Sequence, residues 1–247
     1  MRKALLLFIV LACLAVGKSY AQSVPAWGRG LDQQDFSFGF TFQYLQSDFK
    51  IVKNPNWRQP FIDRSDPAHP VQITDSLSSI RSKGLPGFGI GFLARYSINQ
   101  YIEIRTTPSL IFSDKQILYT YRDASQNVQK QIQSTSFDVP MLLKIKSDRI
   151  GDFRMYLLGG AKVSTAINKK PDDADQALTD KLVKLKRNYA SYEVGIGCDI
   201  YFEYFKLSPE LKLSNSIGNV LLPENHPYSS PISKLFMHTF MISLYFE

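Results

Sequence analysis

Three histidines are the first candidates for acid–base chemistry in this chain: His69, His226 and His238. A histidine activates a serine when the two side chains come within hydrogen-bond distance. The residue two positions after His238 on the same strand face is Phe240 rather than a serine. His226 is close enough in the chain to pair with Ser229 or Ser230. We favour the simpler interpretation that these are polar loop residues, and we predict no catalytic residues.

Two other patterns with possible chemistry are weaker still. Asp172, Asp173 and Asp175 could attract a cation, but they lack the glycine and the distal glutamate of a calcium loop. The stretch GFGIGF from Gly87 to Phe92 is similar to a phosphate-binding glycine loop, but no helical pattern follows it. We interpret these glycines as strand residues that leave space for neighbouring side chains. We therefore predict neither a metal site nor a cofactor site.

Most of the chain is instead organised by alternation between apolar and polar residues. In FSFGFTFQYL, residues 36–45, a bulky aromatic occupies every second position, which predicts a strand with one apolar face. The same pattern predicts seven further strands. They cover residues 88–98, 102–107, 137–146, 154–164, 192–204, 207–214 and 239–246, and the strand that starts at 102 is expected to continue past Pro108 to Tyr121.

The connections between these strands alternate in length. Short turns are predicted near 99–100, 148–152 and 205–206, and long loops at about 51–85, 122–133, 168–188 and 216–234. Short turns at one end and long loops at the other are typical of outer-membrane barrels, whose long loops face the outside. The predicted fold is all-β: a single eight-stranded antiparallel transmembrane up-and-down β-barrel with long extracellular loops.

The N-terminal residues predict export from the cytoplasm. Residues 1–21 combine a basic start, an apolar run and small residues before Gln22, which is the pattern of a cleaved signal peptide. Residues 22–34 are predicted to be a periplasmic lead-in, and residues 35–247 the barrel. A weaker alternative is a lipoprotein signal ending at Cys13. Without the leader, 26 basic residues face 22 acidic ones, so no nucleic-acid partner is indicated.

Alternation alone leaves open which face points into the barrel, because a soluble lipocalin-like barrel would have its apolar face inside. The interior of an eight-stranded barrel is narrow, so five aromatics from one strand would crowd it. The polar faces carry seven basic and six acidic residues, including Lys146, and such charges can pair inside. We therefore predict an integral outer-membrane protein with an interior charge network. Its members are Arg95, Glu103, Arg105, Asp138, Lys144, Arg154, Lys162, Glu193, Asp199, Glu203, Glu210 and Lys212.

Two long loops contain candidate partner contacts. Trp57 and Phe61 lie in a proline-rich loop, where Trp57 is expected either to anchor a partner or to cover the barrel mouth. Residues 174–187 are predicted to form a short amphipathic helix with an apolar side and a basic end. That end could meet lipopolysaccharide phosphates or an acidic partner, and a solvated loop helix without a partner is the simpler alternative. The apolar side comprises Ala174, Leu178, Leu182 and Leu185, of which Leu178 and Leu182 are the candidate contacts.

Four segments resemble a known family of barrels. They are YSINQYIEIRTTPSLIF (96–112), TSFDVPMLLKIKS (135–147), YLLGGAKVS (156–164) and YEVGIGCDIYFEYFKLSPELKLS (192–214). On these segments the chain resembles the PorT (SprT) outer-membrane β-barrel family of Bacteroidetes, which is linked to type IX secretion and gliding motility. Within the resemblance, Arg105, Pro108, Pro140 and Lys144 are expected to serve barrel construction.

The resemblance implies a non-enzymatic accessory component of the type IX machinery, needed to export cargo with a C-terminal signal to the cell surface. The expected partners are other outer-membrane or periplasmic secretion components, together with outer-membrane lipid and lipopolysaccharide. One alternative is an outer-membrane lipid-modifying enzyme, such as a lipid A deacylase or acyltransferase. Another is a soluble lipocalin-like binder.

Overall fold

Eight long antiparallel strands close into a ring in the computed structural model, which describes residues 35–64, 66, 68–168 and 176–247. The signal peptide, the lead-in, Cys13 and the aspartates 172, 173 and 175 lie outside the described residues. The strands are β1 Phe36–Lys53, β2 Leu77–Ser97, β3 Ile102–Thr106 continuing as Ser109–Tyr121, β4 Val128–Lys146, β5 Phe153–Ala166, β6 Asn188–Tyr201, β7 Lys206–Ser216 and β8 Ile232–Phe246.

Each strand pairs with the next, and β1 closes the ring by pairing with β8, for example through Phe40 and Phe246. The predicted all-β barrel is thereby confirmed. β3 is interrupted at Thr107 and Pro108, because a proline has no N–H to donate to the ladder. Phe92 N still donates to Pro108 O at 3.0 Å, and β4 pairs with both parts of β3, so the wall stays continuous.

The apolar face of the strands points outward near the short turns. Phe38 is 73% exposed, whereas Thr41 on the opposite face is 1% exposed. Phe40 stacks against Phe246 of the neighbouring strand with ring centroids 5.0 Å apart. The aromatic row of β1 thus belongs to an apolar band that surrounds the barrel. Among the described residues, no helix is long and apolar enough to cross a bilayer.

The polarity of the two strand faces reverses toward the long loops: the outward side chains become polar and the inward ones apolar. The next three outward positions of β1 after Tyr44 are the polar Gln46, Asp48 and Lys50, while the inward Leu45 and Phe49 are buried. The strands extend above the apolar band: β1 reaches Lys53, and β4 already starts at Val128. The loops predicted at 51–85 and 122–133 are therefore shorter than expected. Inward apolar side chains form a second core at this end, here called the outer core. It contains Phe49, Leu77, Ile80, Ile117, Tyr119, Tyr121, Ile132, Val183, Val220, Leu221, Tyr228, Ile232, Leu235 and Met237.

The barrel wall is uneven at this end. β5 ends at Ala166 and β6 begins at Asn188, so β4 pairs with β5 only up to Ser136 but with β3 up to Val128. Among the described residues, 128–135 of β4 therefore have a strand neighbour on one side only. We call the space beside them the wall gap.

The helix predicted over 174–187 is wrong for the part that the structure describes, residues 176–187. This segment lies across the barrel end as turns and extended chain, and Leu185 pairs with Leu221 in a two-residue strand. Val183 enters the outer core at 2% exposure. Burial of these apolar side chains against the barrel overrides the helical period because a segment this short gains little from isolated helix formation.

Candidate functional site

Ion pairs fill the barrel interior at the level of the short turns. Arg95 Nε lies 2.6 Å from a carboxylate oxygen of Glu247, and Lys206 Nζ lies 2.8 Å from the same oxygen. Glu103 lies 3.6 Å from Arg95 and 3.2 Å from Lys146. All of these side chains are buried, so each charge is compensated by another side chain rather than by water.

A second layer of pairs lies further along the barrel axis. Arg105 donates to Glu210 at 2.8 Å, and the Tyr156 hydroxyl donates to the same carboxylate at 2.6 Å. Lys144 Nζ lies 2.9 Å from Asp199 and 3.7 Å from the centroid of the Tyr156 ring. Charged and aromatic side chains pack against each other at this level and fill the cross-section that eight strands enclose.

Lys162 joins the wall strands at a third level. Its Nζ lies 3.0 Å from Asp138 on β4 and 2.9 Å from Glu193 on β6. Lys212 reaches Glu193 at 3.9 Å and donates to the Tyr245 hydroxyl at 2.8 Å. These contacts link five of the eight strands at this level.

The structure places ten of the twelve predicted network residues in the buried interior: Arg95, Glu103, Arg105, Asp138, Lys144, Lys162, Glu193, Asp199, Glu210 and Lys212. Glu203 is exposed, because β6 ends at Tyr201 and Glu203 belongs to the following turn. Arg154 is half-buried beside the short turns, where it donates to Gln100 O. The prediction of an interior position is therefore wrong for Glu203 and only partly met by Arg154.

Three charged side chains that are buried were missed from the sequence: Lys115, Lys206 and Glu247. Lys115 follows the inward alternation of β3, where it donates to Ser113 Oγ at 3.0 Å. Glu247 continues the inward series of β8 beyond Tyr245. The period-two pattern itself could have found both, whereas Lys206 lies at a strand start that the sequence leaves ambiguous.

The outer core closes the barrel above these charges. The Tyr119 hydroxyl donates to Tyr228 O at 2.7 Å, and the two rings lie 5.1 Å apart edge to face. Val220 and Leu221 of the last long loop are at most 1% exposed. The ends of β8 and of β1 to β4 that extend above the apolar band are here called the tall wall. Two loop segments therefore pack onto the inner face of the tall wall and cover the lumen.

The predicted contact residues in the loops are half-buried. Trp57 packs against the outer core, with Lys53 Nζ 4.0 Å above its ring and the Arg58 guanidinium 5.0 Å away. Trp57 and Phe61 line a cavity of about 370 Å³. Leu178 and Leu182 are also half-buried. Trp57 thus covers the barrel mouth as a half-buried residue.

The histidines take part in local structure. His226 is buried, its Nδ1 accepts from Tyr228 N at 3.3 Å, and its Nε2 lies 3.6 Å from Glu224. Ser229 Oγ accepts from Glu224 N at 3.1 Å. These contacts order the last long loop.

The other two histidines lie apart from it. His238 contacts Asn215, and exposed His69 contacts Asp66, whose carboxyl pKa is lowered mainly by this hydrogen bond. Among the described residues, no three His, Cys, Asp or Glu side chains cluster as a metal site.

The wall gap holds a larger cavity of about 770 Å³. One side is formed by residues 131–134 of β4 and the other by residues 182–187, with residues 166–168 between them. Val220 and Met237 of the outer core contribute to its lining. The residue pattern carries no signal of this cavity, because the cavity depends on where neighbouring strands stop.

A model of the family described as "Outer membrane protein beta-barrel domain" matches residues 20–222. Among solved structures, the chain is similar to the outer membrane protein OprG from Pseudomonas aeruginosa, with 10% identity, a TM-score of 0.47 and coverage of 87% of this chain and 96% of that one. Neisserial surface protein A has 10% identity and a TM-score of 0.40, with coverage of 86% of this chain and 98% of that one. The attachment invasion locus protein Ail of Yersinia pestis has 13% identity and a TM-score of 0.38, with coverage of 86% of this chain and 99% of that one. No match was found among curated proteins.

Proposed function

The chain belongs to the outer-membrane protein β-barrel domain family and is located in the outer membrane, and from this premise we propose that it is an accessory, non-enzymatic component of the type IX secretion machinery. In this role it is needed for the export of cargo with a C-terminal signal to the cell surface. The type IX assignment is supported by the resemblance of residues 96–112, 135–147, 156–164 and 192–214 to the PorT (SprT) family.

The filled interior is the observation that carries the accessory role. Ion pairs such as Arg105 with Glu210 occupy the lumen, and the outer core lies over them. A folded cargo protein has no path through eight strands packed in this way. The barrel therefore acts beside the conduit, where it assembles, stabilises or docks other components.

A non-enzymatic role agrees with the geometry around His226. Its Nδ1 accepts a backbone N–H, and the Ser229 hydroxyl accepts from the backbone of Glu224. A serine nucleophile needs a base that takes the proton of its hydroxyl, and His226 Nδ1 already accepts the N–H of Tyr228. The two side chains are used to order the loop.

The test is a clean deletion of the gene, with surface and periplasmic fractions blotted for a C-terminal-signal cargo protein. We expect cargo to accumulate in the periplasm and the wild-type gene to restore surface display. The deletion strain is also complemented with Trp57→Ala, which tests whether the Trp57 loop contacts the machinery. Arg81→Ala, at an exposed position on the tall wall, is the control. Barrel levels are measured in every strain, so that loss of the protein is distinguished from loss of contact.

Normal cargo display in the deletion strain would overturn the secretion role. Lipid A from the same strains is compared by mass spectrometry. A change in its acylation that the wild-type gene reverses and His226→Ala does not would overturn the non-enzymatic role.

A further inference from the structure

The wall gap lies directly above the apolar band. β4 and β5 are paired up to Ser136 and Ala166, and the outward residues just below this point are apolar and exposed. They are Phe137 at 43%, Val139 at 42% and Val163 at 57% exposure. Above it, the outward residues of β4 are the glutamines 129, 131 and 133. The cavity therefore lies at the level where the outer leaflet meets water.

The lining of this cavity is apolar on its inner side. Ile132, Val183, Val220 and Met237 belong to the outer core and are at most 8% exposed. Leu182 and Leu185 are half-buried in the same lining. A volume of about 770 Å³ lies within the range of about 300–1,000 Å³ that is usual for ligand pockets. An alkyl chain is the chemistry that such a surface takes up.

The rim of the cavity is basic. Residues 180–187 include Lys181, Lys184, Lys186 and Arg187 but only one acidic residue, Asp180. Lys184 is paired with Glu224 at 2.9 Å, while the side chains of Lys186 and Arg187 are exposed. Cationic side chains at a membrane surface attract anionic lipid.

We propose that the wall gap is a binding site for an anionic lipid of the outer leaflet. One acyl chain lies against Ile132, Val183 and Leu185, and the phosphate lies beside Lys186 and Arg187. Since the site needs only the location in the outer membrane, it is independent of the proposed secretion role. Its failure and the failure of that role are therefore measured separately.

The test uses the mature protein folded into phosphatidylcholine vesicles that contain a trace of phosphatidic acid with a photoreactive diazirine on one acyl chain. A phosphatidylcholine with the same acyl chain is the reference probe. After illumination, labelled residues are identified by mass spectrometry. We expect labels in residues 131–134 and 182–187 to be about 25-fold more frequent with phosphatidic acid, which is about fivefold for each of two cationic side chains.

Two kinds of variant separate the parts of the site. Ser134→Trp fills the cavity from a half-buried lining position, and Ser125→Trp in the exposed 3₁₀ helix Ala124–Gln126 is the matched control. The double variant Lys186→Glu with Arg187→Glu reverses the rim charge, and Lys50→Glu with Arg81→Glu reverses two exposed charges elsewhere. Folding of each variant is checked by its heat-dependent mobility on gels.

We expect Ser134→Trp to abolish labelling of the cavity and the rim reversal to remove the preference for phosphatidic acid, while both controls behave as the wild type. Equal labelling by the two lipids would overturn the proposal. So would labels confined to the outward residues of the apolar band, or cavity labelling that persists in Ser134→Trp.

Discussion

At the scale of single residues, the interior shows how a barrel in lipid holds charged side chains. Glu210 accepts from both Arg105 and Tyr156, and Lys162 lies between Asp138 and Glu193. A buried ion pair adds little by itself, because desolvation offsets the attraction. Loss of one partner is costly, because the remaining charge is left buried and uncompensated.

This asymmetry gives a prediction for Arg105 and Glu210. Glu210→Gln should lower the free energy of unfolding by about 3–5 kcal/mol, because Arg105 then lacks a counter-charge. The double variant Arg105→Met with Glu210→Met should recover most of this loss. Urea unfolding in detergent micelles measures both. Equal losses in the single and the double variant would show that packing, rather than charge compensation, makes this pair important.

Two adjacent glycines on β5 give a second prediction at this scale. A Cβ on Gly160 would collide with the backbone oxygen of Met141, while the nearest atom to a Cβ on Gly159 is 3.7 Å away. Gly160→Ala should therefore cost about 1–3 kcal/mol through overpacking, and Gly159→Ala should be neutral. The same unfolding measurement compares them. Unfolding of both variants like the wild type would contradict a close approach of β4 and β5 at Gly160.

At the scale of elements, each strand of the tall wall has two environments along its length. The outward side chains of β1 are aromatic up to Tyr44 and polar at Gln46, Asp48 and Lys50, while the inward ones change from Thr41 and Gln43 to Leu45 and Phe49, with Ser47 between them. Lipid surrounds the first part and water the second. One alternating strand thus contributes to a polar lumen and then to an apolar core.

A charge placed on the outward face of β1 tests this change of environment. Phe40→Arg should destabilise the barrel in bilayers by about 2–4 kcal/mol, because the guanidinium would face hydrocarbon. Gln46→Arg, six residues along the same face, should have little effect. Folding is followed in phosphatidylcholine vesicles by urea titration and gel mobility. A similar cost at both positions would contradict the location of the apolar band.

At the scale of the whole molecule, two kinds of packing close the lumen in series. Ion pairs fill it within the apolar band, and the outer core fills it beyond. The shorter strands β5, β6 and β7 leave the wall gap on one side. The molecule is thus a filled cylinder with an uneven outer end.

A filled cylinder should not conduct ions. The mature protein reconstituted in planar bilayers is expected to show no steady current at either polarity, because neither layer leaves a continuous aqueous path. A reconstituted porin in the same bilayers is the positive control. Stable unitary conductance steps from this protein would contradict the closed lumen and, with it, the argument for an accessory role.

Much of this fold could be predicted from the sequence, because strand alternation is local. The residue pattern at 36–45 indicated a lipid-facing aromatic row. The glycines and the charged residues, which share the face opposite the apolar one, indicated a narrow polar interior. The same pattern placed ten of the twelve network residues correctly on the inward face. It was wrong at Glu203, because the last residues of a strand carry no signal of where pairing stops.

The amphipathic pattern at 174–187 was misleading for a different reason. Its apolar residues fit a helix and an extended segment equally well once another surface can bury them. The outer core offers that surface, and Val183 and Leu185 lie against it. Whether such a segment forms a helix or an extended chain depends on the surface that buries its apolar side chains, and that surface lies outside the segment.

By itself, the sequence determined the class of the protein: alternating strands, an apolar outward face and a charged inward face. Only the tertiary structure decided which charges meet, that the alternation serves an outer core above the apolar band, and that a cavity opens beside β4. The physical reason is distance along the chain. Arg105 and Glu210 are 105 residues apart, and no local pattern records a contact that exists only after eight strands have closed into a ring.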